Sequence, residues 1–162
     1  MEMLDHPGWL WGLLLIVLTM AIHATAVVVL AFVLVPMRGR LESRGVELWS
    51  LIAILICIIG VLGLLLAMLH GIECVIWAGA YLWLGALDSP ADALLYSLDS
   101  MSTRGASGLT LRRPWQMMGP LEAVDGMLLF GVSTAYIFSV MQAYWSMLTA
   151  HVTPDKAERT AS

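Results

Sequence analysis

The sequence predicts an all-α integral membrane protein: three transmembrane helices, with a short helix and loop that enter the bilayer and return. Three observations predict it. Hydrophobic residues fill 60% of the 162 positions and charged residues only 12%, against about 25% charged in an ordinary soluble chain. The apolar residues are gathered into three long runs instead of being dispersed. Between the second and third runs lies a segment that is capped as a helix and is too short to cross. Eight Lys and Arg stand against twelve Asp and Glu, a formal net charge of −4. With no basic stripe, nucleic acid is excluded as a partner, and the partner expected from composition is the lipid bilayer. Cys57 and Cys74 both sit inside apolar runs and read as small buried hydrophobes, not as a disulfide framework.

The first run covers residues 9–35, carries no formal charge, and has His23 as its one ionisable group. About 20 apolar residues cross a bilayer, so it is one span. No Lys or Arg precedes it and its apolar region exceeds the ~7–15 residues of a signal peptide, so it reads as a resident helix. With the basic loop that follows (Arg38, Arg40, Arg44) it forms an N-terminal unit, residues 1–47. The second run, 48–87, is interrupted by His70 and Glu73. As a single helix it would measure about 60 Å at 1.5 Å per residue, twice the ~30 Å hydrocarbon thickness. Either it projects beyond the bilayer or it breaks near His70-Gly71. Two spans would need a polar turn between them, and none is visible, so one is expected. The third run, 121–147, has Glu122 and Asp125 near its start, and a tail expected to be mobile, 148–162, follows.

Three spans put Arg38, Arg40, Arg44, Lys156 and Arg159 on one side and Arg104, Arg112 and Arg113 on the other. The positive-inside rule admits this with the N-terminus outside; it also admits four spans with both termini outside. Trp9, Trp11, Trp49, Trp83 and Trp145 lie near expected span ends, where amphipathic rings settle; Trp77 does not fit that pattern.

Residues 88–120 carry the most information. Ser89 suits an N-cap, Pro90 the first helical position and Asp92 the acid of a capping box, so a helix is expected over 90–101. Twelve residues make about 18 Å, half a membrane. Ser102-Thr103-Arg104-Gly105-Ala106-Ser107-Gly108 then suits irregular backbone. Arg112, Arg113 and Pro114 mark a return to water, and Pro120 opens the third span as a first-turn proline. Non-helical backbone at membrane depth is tolerated only where protein buries it or where it lines a watery cavity. A loop that dips in therefore implies a pore or cavity, and symmetric assembly of several copies is the simplest way to enclose one. The alternative is a short helix and loop lying on the membrane surface.

Span, short helix, loop and span, with Tyr96-Ser97-Leu98-Asp99-Ser100-Met101-Ser102-Thr103-Arg104-Gly105-Ala106-Ser107-Gly108-Leu109-Thr110-Leu111, resembles the pore module of tetrameric potassium channels. That family writes its filter T-x-G-Y-G, often followed by V-T-L. Thr103 falls on its threonine, Gly105 on its first glycine and Leu109-Thr110-Leu111 on its V-T-L. Ala106 stands where the family has Tyr, Ser107 where it has its second glycine, Gly108 where it usually has Asp, and Arg104 at a normally apolar position. The resemblance implies a homotetramer and a pore module over 48–147: outer helix 48–87, pore helix 90–101, filter loop 102–108 and inner helix 120–147. It implies a selectivity filter of Thr103, Arg104, Gly105, Ala106 and Ser107, and a gating hinge at Gly131 in the inner helix. It also implies the inner (plasma) membrane of a cell, with the loop outside and the C-terminus cytoplasmic, and no cofactor beyond a permeant monovalent ion such as K+. The departures bear on which ion passes. Asp99 falls where some potassium channels place a carboxylate behind the filter, so an Asp99–Arg104 pair is expected to brace the loop. The competing arrangement points Arg104 into the axis, where it would repel cations.

Gly131, Gly126, Ser133, Thr134, Ser139 and Gln142 in the third span serve equally as packing contacts between helices. His70 and Glu73 are three apart on one helix face, and with His23 they could take a metal or haem. The set lacks both the second His-Glu pair of a di-iron site and a matched bis-His pair, so no metal is expected. No Ser/His/Asp triad, P-loop or CxxC pair is present, and the chain is not expected to be an enzyme. The sequence thus favours a channel-like protein passing small ions, cations before anions. The alternative is a non-conducting or anion-passing homologue acting as a structural or regulatory membrane subunit.

Overall fold

A computed structural model describes residues 7–105 and 108–152. Five elements follow in order: α1 (Pro7–Arg44), α2 (Leu48–Trp83), α3 (Pro90–Met101), a single 3-10 turn (Trp115–Met117), and α4 (Met118–Val152). α1, α2 and the stretch Trp115–Thr149 are each long and apolar enough to cross a membrane. The protein is therefore a multi-pass membrane protein built on three spanning helices.

The ends of these helices differ from the sequence expectation. α2 is one unbroken helix through His70 and Gly71, because no polar turn or proline interrupts its backbone ladder. It stops at Trp83, short of residue 87, where Gly85 takes φ +66, a conformation glycine adopts at little cost. α1 continues through Pro36 to Arg44, so the expected basic loop is mostly helical. α4 starts at Met118 and runs to Val152, beyond 120–147. Most of the expected tail, 148–162, lies outside the described residues. α3 occupies 90–101, and the Ser89 hydroxyl accepts from the Asp92 backbone N–H.

The helices form an antiparallel bundle whose register can be read from paired contacts. On α1 and α4, a Cβ at Gly8 would meet Met118, one at Gly12 would meet Leu121, and His23 bonds Ser133, so the two run parallel. On α2 the order reverses: Glu73 meets His23, Trp77 meets Asp125 and Tyr81 meets Glu122. Two apolar clusters fill the bundle. One gathers α3 against α2 and α4 through Trp77, Tyr81, Tyr96, Met101 and Met118. The other lies toward the far end, around Leu62, Leu66, Tyr136 and Tyr144. Large apolar side chains on the outside, among them Val17, Phe32, Ile56, Val75 and Phe130, are exposed. Lipid is their natural neighbour, since chain and bilayer are then equally apolar. Cys57 belongs to this outer set, whereas Cys74 is buried; the expectation that both were buried fails for Cys57 because its helix face looks out of the bundle.

Close approach positions α3. A Cβ added at Gly126 would lie 2.1 Å from the Met101 carbonyl oxygen, so the C-terminal end of α3 rests directly on the α4 backbone. Gly131 has nothing within 4 Å of such an atom. Gly126→Ala is therefore expected to destabilise the protein by roughly 1–3 kcal/mol through overpacking. Gly131→Ala should be neutral or slightly stabilising from helix propensity. Thermal unfolding of the two variants in detergent micelles checks the contrast.

Candidate functional site

Polar side chains on the inner faces of the helices follow helical spacing. α1 presents Thr19 and His23; α2 presents His70, Glu73, Trp77 and Tyr81; α4 presents Glu122, Asp125 and Ser133. Residues three or four apart share a face, so each helix contributes one stripe, and the stripes meet inside the bundle. Thr19, His23, Glu73, Ser97, Glu122 and Asp125 are all 0% exposed. A charge or polar group at membrane depth is costly unless protein partners satisfy it.

The partners are arranged in three levels. At the first, Tyr81 donates to Glu122 Oε2 at 2.5 Å, and the Ser97 hydroxyl of α3 makes a short contact with Glu122 Oε1. Ser97 Oγ also lies 2.9 Å from the Cys74 carbonyl, tying α3 to both neighbours. At the second, Asp125 Oδ2 accepts from Trp77 Nε1 at 2.9 Å and from Thr19 Oγ1 at 2.7 Å. This accounts for Trp77, which the interfacial pattern did not. At the third, His23 Nδ1 lies 2.9 Å from Glu73 Oε1 and His23 Nε2 lies 3.0 Å from Ser133 Oγ. The His70 ring packs edge-on to His23 with centroids 5.2 Å apart. Its Nδ1 reaches the Leu66 carbonyl at 2.8 Å, not Glu73.

The second feature is the chain after α3. Ser102 and Thr103 line a cavity of about 490 Å³ together with Ala67, His70 and Gly71, near the middle of α2, and Gly126 and Phe130 in the first half of α4. From there the backbone returns: Leu111 is buried in the α3 cluster, Arg112 N–H donates to the Ala86 carbonyl at 3.2 Å, and Arg112 Nη1 lies 2.9 Å from Asp88 Oδ1. The loop thus descends beside the bundle and comes back to the end where α2 finishes. Asp99 organises the turn. Its carbonyl accepts from Arg104 N–H at 2.9 Å and from Gly105 N–H at 3.3 Å. Its side chain is buried, and Oδ1 lies 3.4 Å from Arg104 Nη1, whose own side chain is 73% exposed. Thr103 sits at φ +56, left-handed backbone that costs a β-branched residue about 1–2 kcal/mol. Gly105 and Gly108, at φ +84 and +78, take the same region freely.

The structure brings Thr103, Arg104, Gly105 and Asp99 into one turn. Ala106 and Ser107 lie outside the described residues. Gly131 is on the exposed side of α4, away from this turn. The buried stripes of Glu122, Asp125, Trp77 and Tyr81 were not singled out from sequence, although two acids three apart inside an apolar run were a visible signal of inward-facing groups.

No family model, curated protein or solved structure matches this chain. Fold and site together define a helical membrane protein of three spans with a buried polar seam and a short helix, α3, packed against α2 and α4.

Tyr81 and Ser97 act on the same carboxylate, so their removal should not add. Tyr81→Phe and Ser97→Ala are each expected to cost about 1–2 kcal/mol, the range for buried and intramembrane hydrogen bonds. The double variant should depart from the sum by at least ~0.5 kcal/mol. Thermal or denaturant unfolding in micelles gives all three values.

Proposed function

We propose that the protein is a pore-loop membrane channel subunit, similar to potassium channels in its pore module, that assembles as a homotetramer and passes small ions through a divergent filter loop. The observation that carries this reading is the depth of the turn after α3. Thr103 stands beside Ala67, His70 and Gly71 near the middle of α2 and beside Gly126 and Phe130 in the first half of α4, while the segments before and after it, at Asp88 and Arg112, meet at the end of α2. Irregular backbone at that depth needs protein or a water-filled cavity around it. Four copies of the loop about an axis would supply both.

In that assembly the C-terminal end of α3 points toward the cavity, and its negative end of dipole favours a cation there. Backbone oxygens and hydroxyls of residues 103–107 would replace part of an ion's water shell. The ion pair of Asp99 with Arg104 would hold the loop in place of the aromatic collar that Ala106 does not provide. Arg112 and Asp88 pin the outer end of the return segment. Gly131 has room to bend on the open side of α4 and would serve as the gating hinge. The loop side would face outside and the C-terminus the cytoplasm, in the plasma membrane.

The anion-passing or non-conducting alternative rests on one observation, the 73% exposure of the Arg104 side chain. A guanidinium free to swing toward the axis would repel cations.

Purified protein reconstituted in liposomes separates the readings. Cation flux with a K+ or Na+ reversal potential is expected, and Arg104→Ala should lower it by breaking the pair with buried Asp99, whereas a rise would put the guanidinium in the ion's path. Asp99→Asn should lower flux and loosen the tetramer, read by native mass spectrometry. Chloride-selective flux would favour the alternative, and a monomer without flux of any ion would overturn the channel.

A further inference from the structure

We propose that His23, His70 and Glu73 form a binding site for one divalent transition-metal ion of the zinc class. The spacing on α2 alone does not make such a site; the third donor arrives from α1. One ligand atom of each residue lies within 4.8 Å of the other two. His23 and Glu73 are fully buried, and His70 is half-buried at the wall of the cavity beside the α3 turn.

The hydrogen bonds fix which atoms face the centre. His70 Nδ1 meets the Leu66 carbonyl, which can only accept, so Nδ1 carries the proton and Nε2 keeps its lone pair. That Nε2 is buried with no hydrogen-bond partner, and so is Glu73 Oε2. Both are acceptors, and two buried acceptors beside one another call for a shared positive group. His23 can supply the third donor: without a metal its Nδ1–H donates to Glu73 Oε1, 2.9 Å away, and with one bound the proton sits on Nε2, where Ser133 Oγ at 3.0 Å can accept it, which frees Nδ1 as a ligand. Two neutral imidazole nitrogens and one carboxylate oxygen then converge, each imidazole held from behind by an oxygen. This is the donor set and outer-sphere arrangement of a zinc site with three protein ligands. Two imidazoles select zinc, cobalt, nickel or copper over calcium and magnesium, which take oxygen ligands. The cavity at His70 supplies an entry path and room for a water as fourth ligand. The ion would join α1 to α2, which otherwise meet over a short stretch because α1 packs chiefly on α4.

The test needs full-length protein in micelles, purified through a tag without histidine and stripped with a chelator. Addition of Co2+ is expected to give the visible bands of a tetrahedral site, saturating at one equivalent and displaced by Zn2+. Glu73→Gln and His70→Ala should abolish those bands. Ser133→Ala should keep them and weaken affinity by roughly 10–100-fold, as loss of an outer-sphere partner does. X-ray absorption of the zinc-loaded native protein requires no variant to fold, and should report two imidazoles in the first shell. An oxygen-only shell, binding that survives both ligand substitutions, or no stoichiometric binding at all would overturn the site and leave a His23–Glu73 ion pair in its place. None of these readouts depends on ion flux, so the outcome stands apart from that of the channel reading.

Discussion

The acids that face the inside of this bundle find their hydrogen-bond partners on other helices of the same chain, because the lipid around it offers none. Three acids, Glu73, Glu122 and Asp125, sit at 0% exposure in helices whose outer faces are Val, Leu, Ile and Phe. Each acid takes at least one partner from a different helix: His23, Tyr81 and Ser97, Trp77 and Thr19. Apolar side chains slide past one another at little cost in lipid. A carboxylate with a fixed donor does not. The register of α1, α2 and α4 is thus set by this ladder of polar pairs, and the apolar clusters above and below it fill in around a register already chosen.

The position of α3 follows from the same constraint. Its N-terminus is closed by Ser89, and its middle is tied through Ser97 to both Glu122 and the Cys74 carbonyl. Its end is lowered onto the bare backbone of Gly126. These contacts hold α3 against α2 and α4, and the turn that follows it lies beside Ala67, His70 and Gly71 of α2. The strained Thr103 and the buried Asp99 are consequences of turning the chain there, within a few residues, and sending it back to Ala86 and Asp88.

Much of this was legible in the residues. Three apolar runs gave three spanning helices, and Ser89, Pro90 and Asp92 marked the start of a twelve-residue helix that the structure places over the same residues. The proximity of Asp99 and Arg104 was expected only through the resemblance to the potassium-channel pore module, which places a carboxylate behind the filter. Helix ends were less readable: no residue at 84–87 is polar, yet the helix stops at Trp83, because Gly85 takes the left-handed conformation of a C-terminal cap, a local signal easily passed over inside an apolar run. The interhelical pairs were least readable of all. His70 and Glu73, read as partners on one face, turn to different neighbours, His70 to its own helix backbone and Glu73 to α1. Sequence spacing fixes which groups share a face; it does not say which helix that face will meet.

The two ends of the seam do different work for that reason. Near α3 the acids are fully engaged: both oxygens of Glu122 have donors, which suits a permanent brace. At the level of His23 the balance changes, and Glu73 Oε2 and His70 Nε2 are acceptors without a hydrogen-bond partner among the described residues. Two unmatched acceptors side by side each cost more than an apolar replacement there would. With His70 at the wall of the cavity that Thr103 also lines, two such acceptors are the pattern expected where a bundle receives a positive group.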